Sequence, residues 1–221
     1  MREGGGMRLP TIAVRLSRRG VLALLALAMT APTVIARETY AAFVARINTK
    51  LPDGARFRDD LEEELRAAAN GYRGSKGLKA LTAADDKLVA AARAHAADMM
   101  LNDFVGHTSS SGAGFESRMR ALNPGVMMLP RMAENAARER SKGPPDSAKA
   151  QRLFQQWVKS SAHAKTLRSR DYIAVATGVV EKDSKLFAVQ IFSGPVLKTN
   201  MFGTAGGTSP EPALGGEDGL Y

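Results

Sequence analysis

Apolar positions recur every three or four residues through most of the chain and alternate only near its end. Tyr40, Val44, Ile47 and Leu51 share one helical face, and Pro52-Asp53-Gly54 closes that stretch with a turn. Phe57, Leu61, Leu65 and Ala68 line a second predicted helix over 57–70, whose far side carries Glu62, Glu63 and Glu64, with Asn70-Gly71 as its stop. Thr82, with Asp85 three residues on, predicts the cap of an alanine-rich helix from 83 to about 101. Its buried face holds Leu88, Ala91, Ala92, His95, Ala96 and Met99. Phe115, Met119 and Leu122 mark a short helix that Asn123-Pro124-Gly125 ends. Residues 126–129 suit a short strand that 132–137 leave, and 138–145 read as polar loop. Asp146 or Ser147 caps a helix through Leu153, Phe154, Trp157 and Val158 that ends near His163. Residues 172–180 and 185–192 are rich in β-formers and joined by four polar residues, which predicts an antiparallel hairpin. Helices early and antiparallel strands late imply an α+β fold, with helices packed on a small sheet.

Composition changes this picture mainly at the ends. The 221 residues are 44% hydrophobic, enough for one ordinary core. Residues 1–36 read as a signal peptide: Arg15, Arg18 and Arg19 precede the apolar run Gly20 to Met29, and Val34-Ile35-Ala36 fits a cleavage site. Ser17-Arg18-Arg19-Gly20-Val21-Leu22 also resembles a twin-arginine export signal, with retention as an anchor the alternative to cleavage. The run is short for a stable membrane span. Periplasmic or extracellular residence follows. Residues 37–56 read as an N-terminal extension with a short helix, 57–198 as the domain, and 199–221, rich in Gly, Pro, Ser and acid, as a disordered tail. The chain is formally +9, but five Arg and one Glu belong to residues 1–36, which leaves net +5 beyond them. That balance suits anionic envelope surfaces, and without an aromatic-interleaved basic stripe it predicts no nucleic-acid binding. With no cysteine, disulfides, thiol catalysis and cysteine-based metal sites are excluded.

The candidate chemistry lies in three separated places. His107 sits in the loop Phe104-Val105-Gly106-His107-Thr108-Ser109-Ser110-Ser111-Gly112, whose Gly and Ser content suits presentation of polar groups. Glu134 is flanked by alanines, and His163 follows the only tryptophan, Trp157, by six residues. Two imidazoles and a carboxylate are what a divalent cation such as zinc accepts, with positions left for water. Without a metal the same trio suits proton transfer, or a buried hydrogen-bonded network that fixes the loops. His95 reads instead as a histidine packed into its helix. A Gly-x-Ser-x-Gly elbow and a His-Glu-x-x-His helix are both missing, so neither serine hydrolysis nor a zincin protease is expected.

Five segments in order carry a resemblance to the CAP superfamily (cysteine-rich secretory, antigen 5 and pathogenesis-related proteins), in its cysteine-free bacterial branch, the SCP domain. Asn70-Gly71-Tyr72-Arg73 with Gly77 to Leu81 resembles the family's opening helix, and Leu88 to Met99 its second. Phe104-Val105-Gly106-His107-Thr108 is similar to its "Phe-x-His-Thr" segment, and Ala133-Glu134-Asn135-Ala136-Ala137 to "Gly-Glu-Asn-Ile-Ala". Trp157 to His163 keeps the family's tryptophan-to-histidine interval, and Ala188 to Phe192 resembles the closing strand. The resemblance implies a three-layer α–β–α sandwich, a small antiparallel sheet covered by helices, with a cleft lined by His107, Glu134 and His163. It implies metal on His107 and His163, a lipid, anionic envelope or protein partner, and no general enzymatic activity. A metal-assisted hydrolase in the same cleft is the alternative. The family's eukaryotic members place a second glutamate soon after the tryptophan. None stands there in this chain, and Glu116 is the candidate substitute.

Overall fold

The computed structural model describes residues 38–195 other than Met127, so the signal peptide and the tail read from the sequence lie outside the described residues. Six helices and five strands follow in chain order: α1 (Tyr40–Thr49), β1 (Ala55–Phe57), α2 (Asp59–Gly74), β2 (Thr82–Ala83), α3 (Asp86–Leu101), α4 (Phe115–Leu122), β3 (Met132–Glu139), α5 (Ser147–Lys159), α6 (Ser161–Arg168), β4 (Ala174–Lys182) and β5 (Lys185–Ser193).

The β4–β5 hairpin is the centre of the sheet. Its strands pair antiparallel through nine residues each, β3 adds on the far side of β5, and β1 and β2 share the outer edge of β4. The order β1-β4-β5-β3 is antiparallel throughout, with only β2 parallel to β4. Strand alternation then builds two cores rather than one. Ala176, Val180, Phe187, Val189 and Ile191 meet α1, α3 and α4, whereas Val175, Val179, Leu186, Ala188 and Phe192 meet α2, α5 and α6. The result is the three-layer α–β–α sandwich. On the first face Gly178 lets α3 lie against the sheet: a Cβ there would come 2.2 Å from the Arg93 backbone nitrogen.

Several boundaries differ from those the sequence pattern predicts, each for a tertiary reason. Phe57 is in a strand, not the first turn of a helix, because it pairs with Val180 while the Arg58 amide donates to the Val179 carbonyl. Helix α2 therefore starts at Asp59, with Asp59, Asp60 and Glu62 favourably placed at its positive end. It runs past Asn70-Gly71 because the Asn70 side chain bonds the Leu81 amide and carbonyl instead of its own backbone. Thr82 is taken by β2, and Asp85 alone caps α3, accepting from the Leu88 amide at 2.9 Å. Val126, Met128 and Leu129 stand in no strand: Gly125 turns the chain at φ 86°, and Pro130 has no amide to give. The strand is β3, which continues through Arg138 and Glu139 and pairs eight residues with β5. Ser160 breaks the helix of Trp157 at ψ 123° and caps a new one, so His163 opens α6 rather than closing α5. Residues 38–57 are part of the same body. Val44 and Ile47 of α1 are buried in the first core, and β1 extends the sheet.

Candidate functional site

Among the described strands β3 is the edge of the sheet opposite β1, and consecutive residues along it address opposite layers. Glu134 points to the α3–α4 layer and Asn135 to the α5–α6 layer, and each meets the segment that carries one of the two candidate histidines.

On the first face the loop after α3 is tied down before it delivers His107. Buried Asp98 accepts from the Ser110 amide (2.9 Å) and hydroxyl (2.5 Å), and His95 bonds the Gly106 carbonyl at 2.8 Å. A carbonyl only accepts, so His95 carries its proton on Nε2. Its Nδ1 is then a buried acceptor without a partner, and burial holds its pKa below the ordinary value. Phe104 packs edge-on against this ring, with centroids 6.1 Å apart. Ser109 and Ser110 are committed to the loop's own bonds, the Ser109 hydroxyl accepting from the Ala113 amide. His95 is thus a packing histidine, as its helical position predicts.

Glu134 is almost wholly buried and is held by two elements. His107 Nδ1 lies 3.0 Å from its Oε1, and Arg118 Nη2 donates to both oxygens at 2.9 Å. Burial alone would raise this carboxyl, but the His107 bond and the Arg118 and His95 charges outweigh it and hold the pKa below the usual carboxylate range. An ionised carboxylate only accepts, so the His107 proton sits on Nδ1 and Nε2 is left with a free lone pair. Arg118 also donates to the His107 carbonyl at 3.1 Å and stands over the rings of Tyr40 (5.8 Å) and Phe115 (5.5 Å). Burial disfavours its charge, yet Glu134 and Tyr40 keep its pKa above the ordinary value.

Sequence reasoning missed Arg118 and Tyr40. The signal was present: Arg118 lies three residues from Phe115 and beside Met119, on the apolar stripe of α4 where an arginine does not belong without a buried partner. Glu116, by contrast, is not brought to the cluster. It is one turn before Arg120 on the exposed face of α4 and pairs with it at 2.9 Å.

On the second face His163 occupies the first turn of α6, its amide 3.5 Å from the Ser160 hydroxyl oxygen and its carbonyl 3.4 Å from Asn135 Nδ2. Its Nδ1 is buried with no partner among the described residues, and burial, aided by the proximity of His107, lowers its pKa. The His107 and His163 rings meet edge-on across β3 with centroids 6.1 Å apart. A zinc ion bonded at about 2.0–2.1 Å to one nitrogen of each ring at a tetrahedral angle brings the centroids to about 5 Å, so the rings, at 6.1 Å, would have to close by about 1 Å to share a cation. Among the described residues no group of three His, Asp or Glu side chains is placed to hold a metal, because Glu134 is already spent on Arg118 and His107. The donor set is therefore two imidazoles. Beside His163 the cleft opens into a groove of about 490 Å³ lined by Val105, Trp157, Ser160 and the cations Arg138 and Arg140. Arg138 holds Asp103 at 2.9 Å, while Arg140 stands 3.9 Å from the same carboxylate and is half exposed.

Comparison with known proteins bears on the family and the fold. The model of the cysteine-rich secretory protein family, CAP, matches residues 66–192. An extracellular SCP-domain protein from Bacillus anthracis aligns with 23% identity and a TM-score of 0.50, covering 62% of this chain and 41% of that one. An outer surface protein from Borrelia burgdorferi aligns with 17% identity and a TM-score of 0.52, covering 63% of this chain and 98% of that one. This chain thus spans less than half the length of the Bacillus protein. No curated protein matches. With more than half its length inside the family model and the sandwich those structures share, the chain belongs to the CAP family of cysteine-rich secretory proteins.

Proposed function

We propose that the chain is an exported, non-enzymatic binding module of the cell envelope, whose cleft takes a divalent cation such as zinc on His107 and His163. A lipid headgroup or another anionic envelope component would complete the coordination. The observation that carries this reading is the meeting of two imidazoles from opposite layers, one of them oriented by a buried carboxylate that leaves its outer nitrogen free. Each residue then has a distinct task. Glu134 fixes the His107 tautomer and ring, Arg118 keeps Glu134 ionised, and Asn135 and Ser160 position the start of α6. With only two protein ligands the cation would keep open positions, and it would supply a localised positive charge for an oxyanion. Arg140 and Arg138 favour an anion in the adjoining groove.

Export rests on the basic-then-apolar pattern of residues 1–36. It gains support from the names of the Bacillus and Borrelia relatives, an extracellular and an outer surface protein. Among the described residues no helix is long and apolar enough to cross a membrane.

Calorimetric titration of residues 37–221 with zinc, beside a His107→Ala/His163→Ala variant, tests the cleft. One micromolar or tighter site, lost in the variant, is expected. Equal weak binding by both proteins would reduce the trio to a structural network. Mass spectrometry of the native N-terminus tests export, and an intact Met1 or Met7 in a cytoplasmic fraction would contradict it. Hydrolysis of a lipid, peptide or peptidoglycan panel that vanishes in His107→Ala would replace the binding reading with metal-assisted hydrolysis.

A further inference from the structure

Arg73 of α2 is 2% exposed, yet among the described residues no carboxylate lies within ion-pair distance of it. Its Nε donates to the Lys79 carbonyl at 2.9 Å, and Nη1 donates to the Leu167 and Ser169 carbonyls at 2.9 and 2.7 Å. The last two belong to the C-terminal turn of α6, whose partial negative charge offsets part of the cation. Two other buried cations close their accounts differently. Arg118 has Glu134, and the three ammonium hydrogens of Lys149 meet three carbonyls, those of Ser141, Gly143 and Ser184. A guanidinium has five N–H groups, and those on Arg73 Nη2 meet no protein acceptor among the described residues. Burial without a counter-ion accordingly pulls the Arg73 pKa below its ordinary value.

This side chain lines a cavity of about 510 Å³ that shares no residue with the histidine cleft. Two more cations, the exposed Lys79 and Arg170, stand on its wall, and no acidic residue does. Asp171, next in sequence, is turned to Arg131 at 2.7 Å and to the Ser169 hydroxyl at 3.2 Å. The remaining wall is largely apolar, with Leu78, the ring of Tyr172 and Ile173, whose side is half exposed to solvent. Three cations, unused guanidinium hydrogens and an apolar wall are the chemistry that recognises an anionic head joined to an apolar body.

We infer that this cavity is a second binding site, for an amphiphilic oxyanion: a phosphate or carboxylate group against Arg73, Lys79 and Arg170, its apolar portion on Leu78, Tyr172 and Ile173. The site is independent of any metal in the cleft. Such a group reaches it either as a free amphiphile or as the headgroup of a membrane lipid.

The test titrates the exported chain calorimetrically with octyl phosphate below its micelle concentration. In parallel, the chain is co-sedimented with phosphatidylcholine vesicles with and without phosphatidylglycerol. Arg73→Met removes three carbonyl contacts and can fail to fold, so the informative variant is Lys79→Glu/Arg170→Glu, which alters exposed residues only. One saturable octyl phosphate site, weakened about tenfold or more in that variant and unchanged in His107→Ala/His163→Ala, is the expected result. Binding only to vesicles containing phosphatidylglycerol, with the same variant dependence, supports the site and identifies the lipid source. No saturable binding in either arm, equal binding by wild type and the charge-reversed variant, or loss in the histidine variant would overturn the site. Loss of zinc binding alone would leave it standing and remove only the cleft reading.

Discussion

At the scale of single residues, the account turns on a buried charge pair that no sequence motif advertises. Arg118 and Glu134 are each buried, and each is the other's counter-ion. Removing one partner strands the other, at a cost of about 3–5 kcal/mol, whereas replacing both is far cheaper. Glu134→Gln and Arg118→Met should each lower the urea midpoint sharply. The double variant should recover most of that stability while losing the orientation of His107, which the midpoint and the imidazole spectra of His107 report separately. The pH dependence of the chelated protein follows from depressed pKa values, those of His95 and His163 in the upper range and that of Glu134 in the lower. His95 folds with its pKa below the ordinary 6.5, so its share of stability is complete above that value and is lost as pH falls through the folded one. Glu134 folds below the ordinary 4.5, so its share is complete above 4.5 and disappears only at lower pH. Thermal melts should therefore fall in two stages on acidification. His95→Phe should shrink the upper stage to the share of His163 and leave the lower one, and an unchanged upper stage in that variant would contradict the assignment.

At the scale of elements, α3 lies in close contact with β4 at Gly178. A methyl group at this position would meet the backbone of Ala92 and Arg93 at 2.2–2.6 Å, where neither partner is a flexible side-chain end. Gly178→Ala should cost about 1–3 kcal/mol or more, read as a lower urea midpoint, because helix and sheet must separate. A midpoint within error of wild type would show that α3 has room to move. Helices α1 to α5, the hairpin and the buried face of α3 were legible in the sequence because local periodicity and capping determine them, whereas α6 was not. Phe57, Thr82, Val126, Met128 and Leu129 were misread because a ladder partner some ninety or more residues away, or its lack, decides strand state, and no local pattern carries that information. His107, Glu134 and His163 stood out by residue type and setting, but their convergence was legible only through the family resemblance. Their convergence depends on β3 being an edge strand whose neighbours 134 and 135 face opposite layers. Arg118 was missed although it stands on the apolar stripe of α4, because its partner Glu134 lies on a distant strand, and Glu116 was put forward on sequence proximity that helix geometry does not honour.

At the scale of the whole molecule, the sheet separates two cores, and the histidine cleft lies where the layers meet at the edge of β3. The layout makes the cleft a joint property of both layers: α3, α4 and their loop set His107, while α6 sets His163. The cavity at Arg73 belongs to the α2–α6 side alone. The central claim is that His107 is held by Glu134 through Nδ1 so that Nε2 faces His163 and a cation. Long-range proton–nitrogen-15 correlation of the imidazoles, recorded with and without zinc, tests this directly. The account predicts His107 protonated on Nδ1 before zinc, a metal-induced shift of its Nε2 and of one His163 nitrogen, and an unmoved His95. A His107 protonated on Nε2, or zinc that shifts neither ring of the pair, would contradict it.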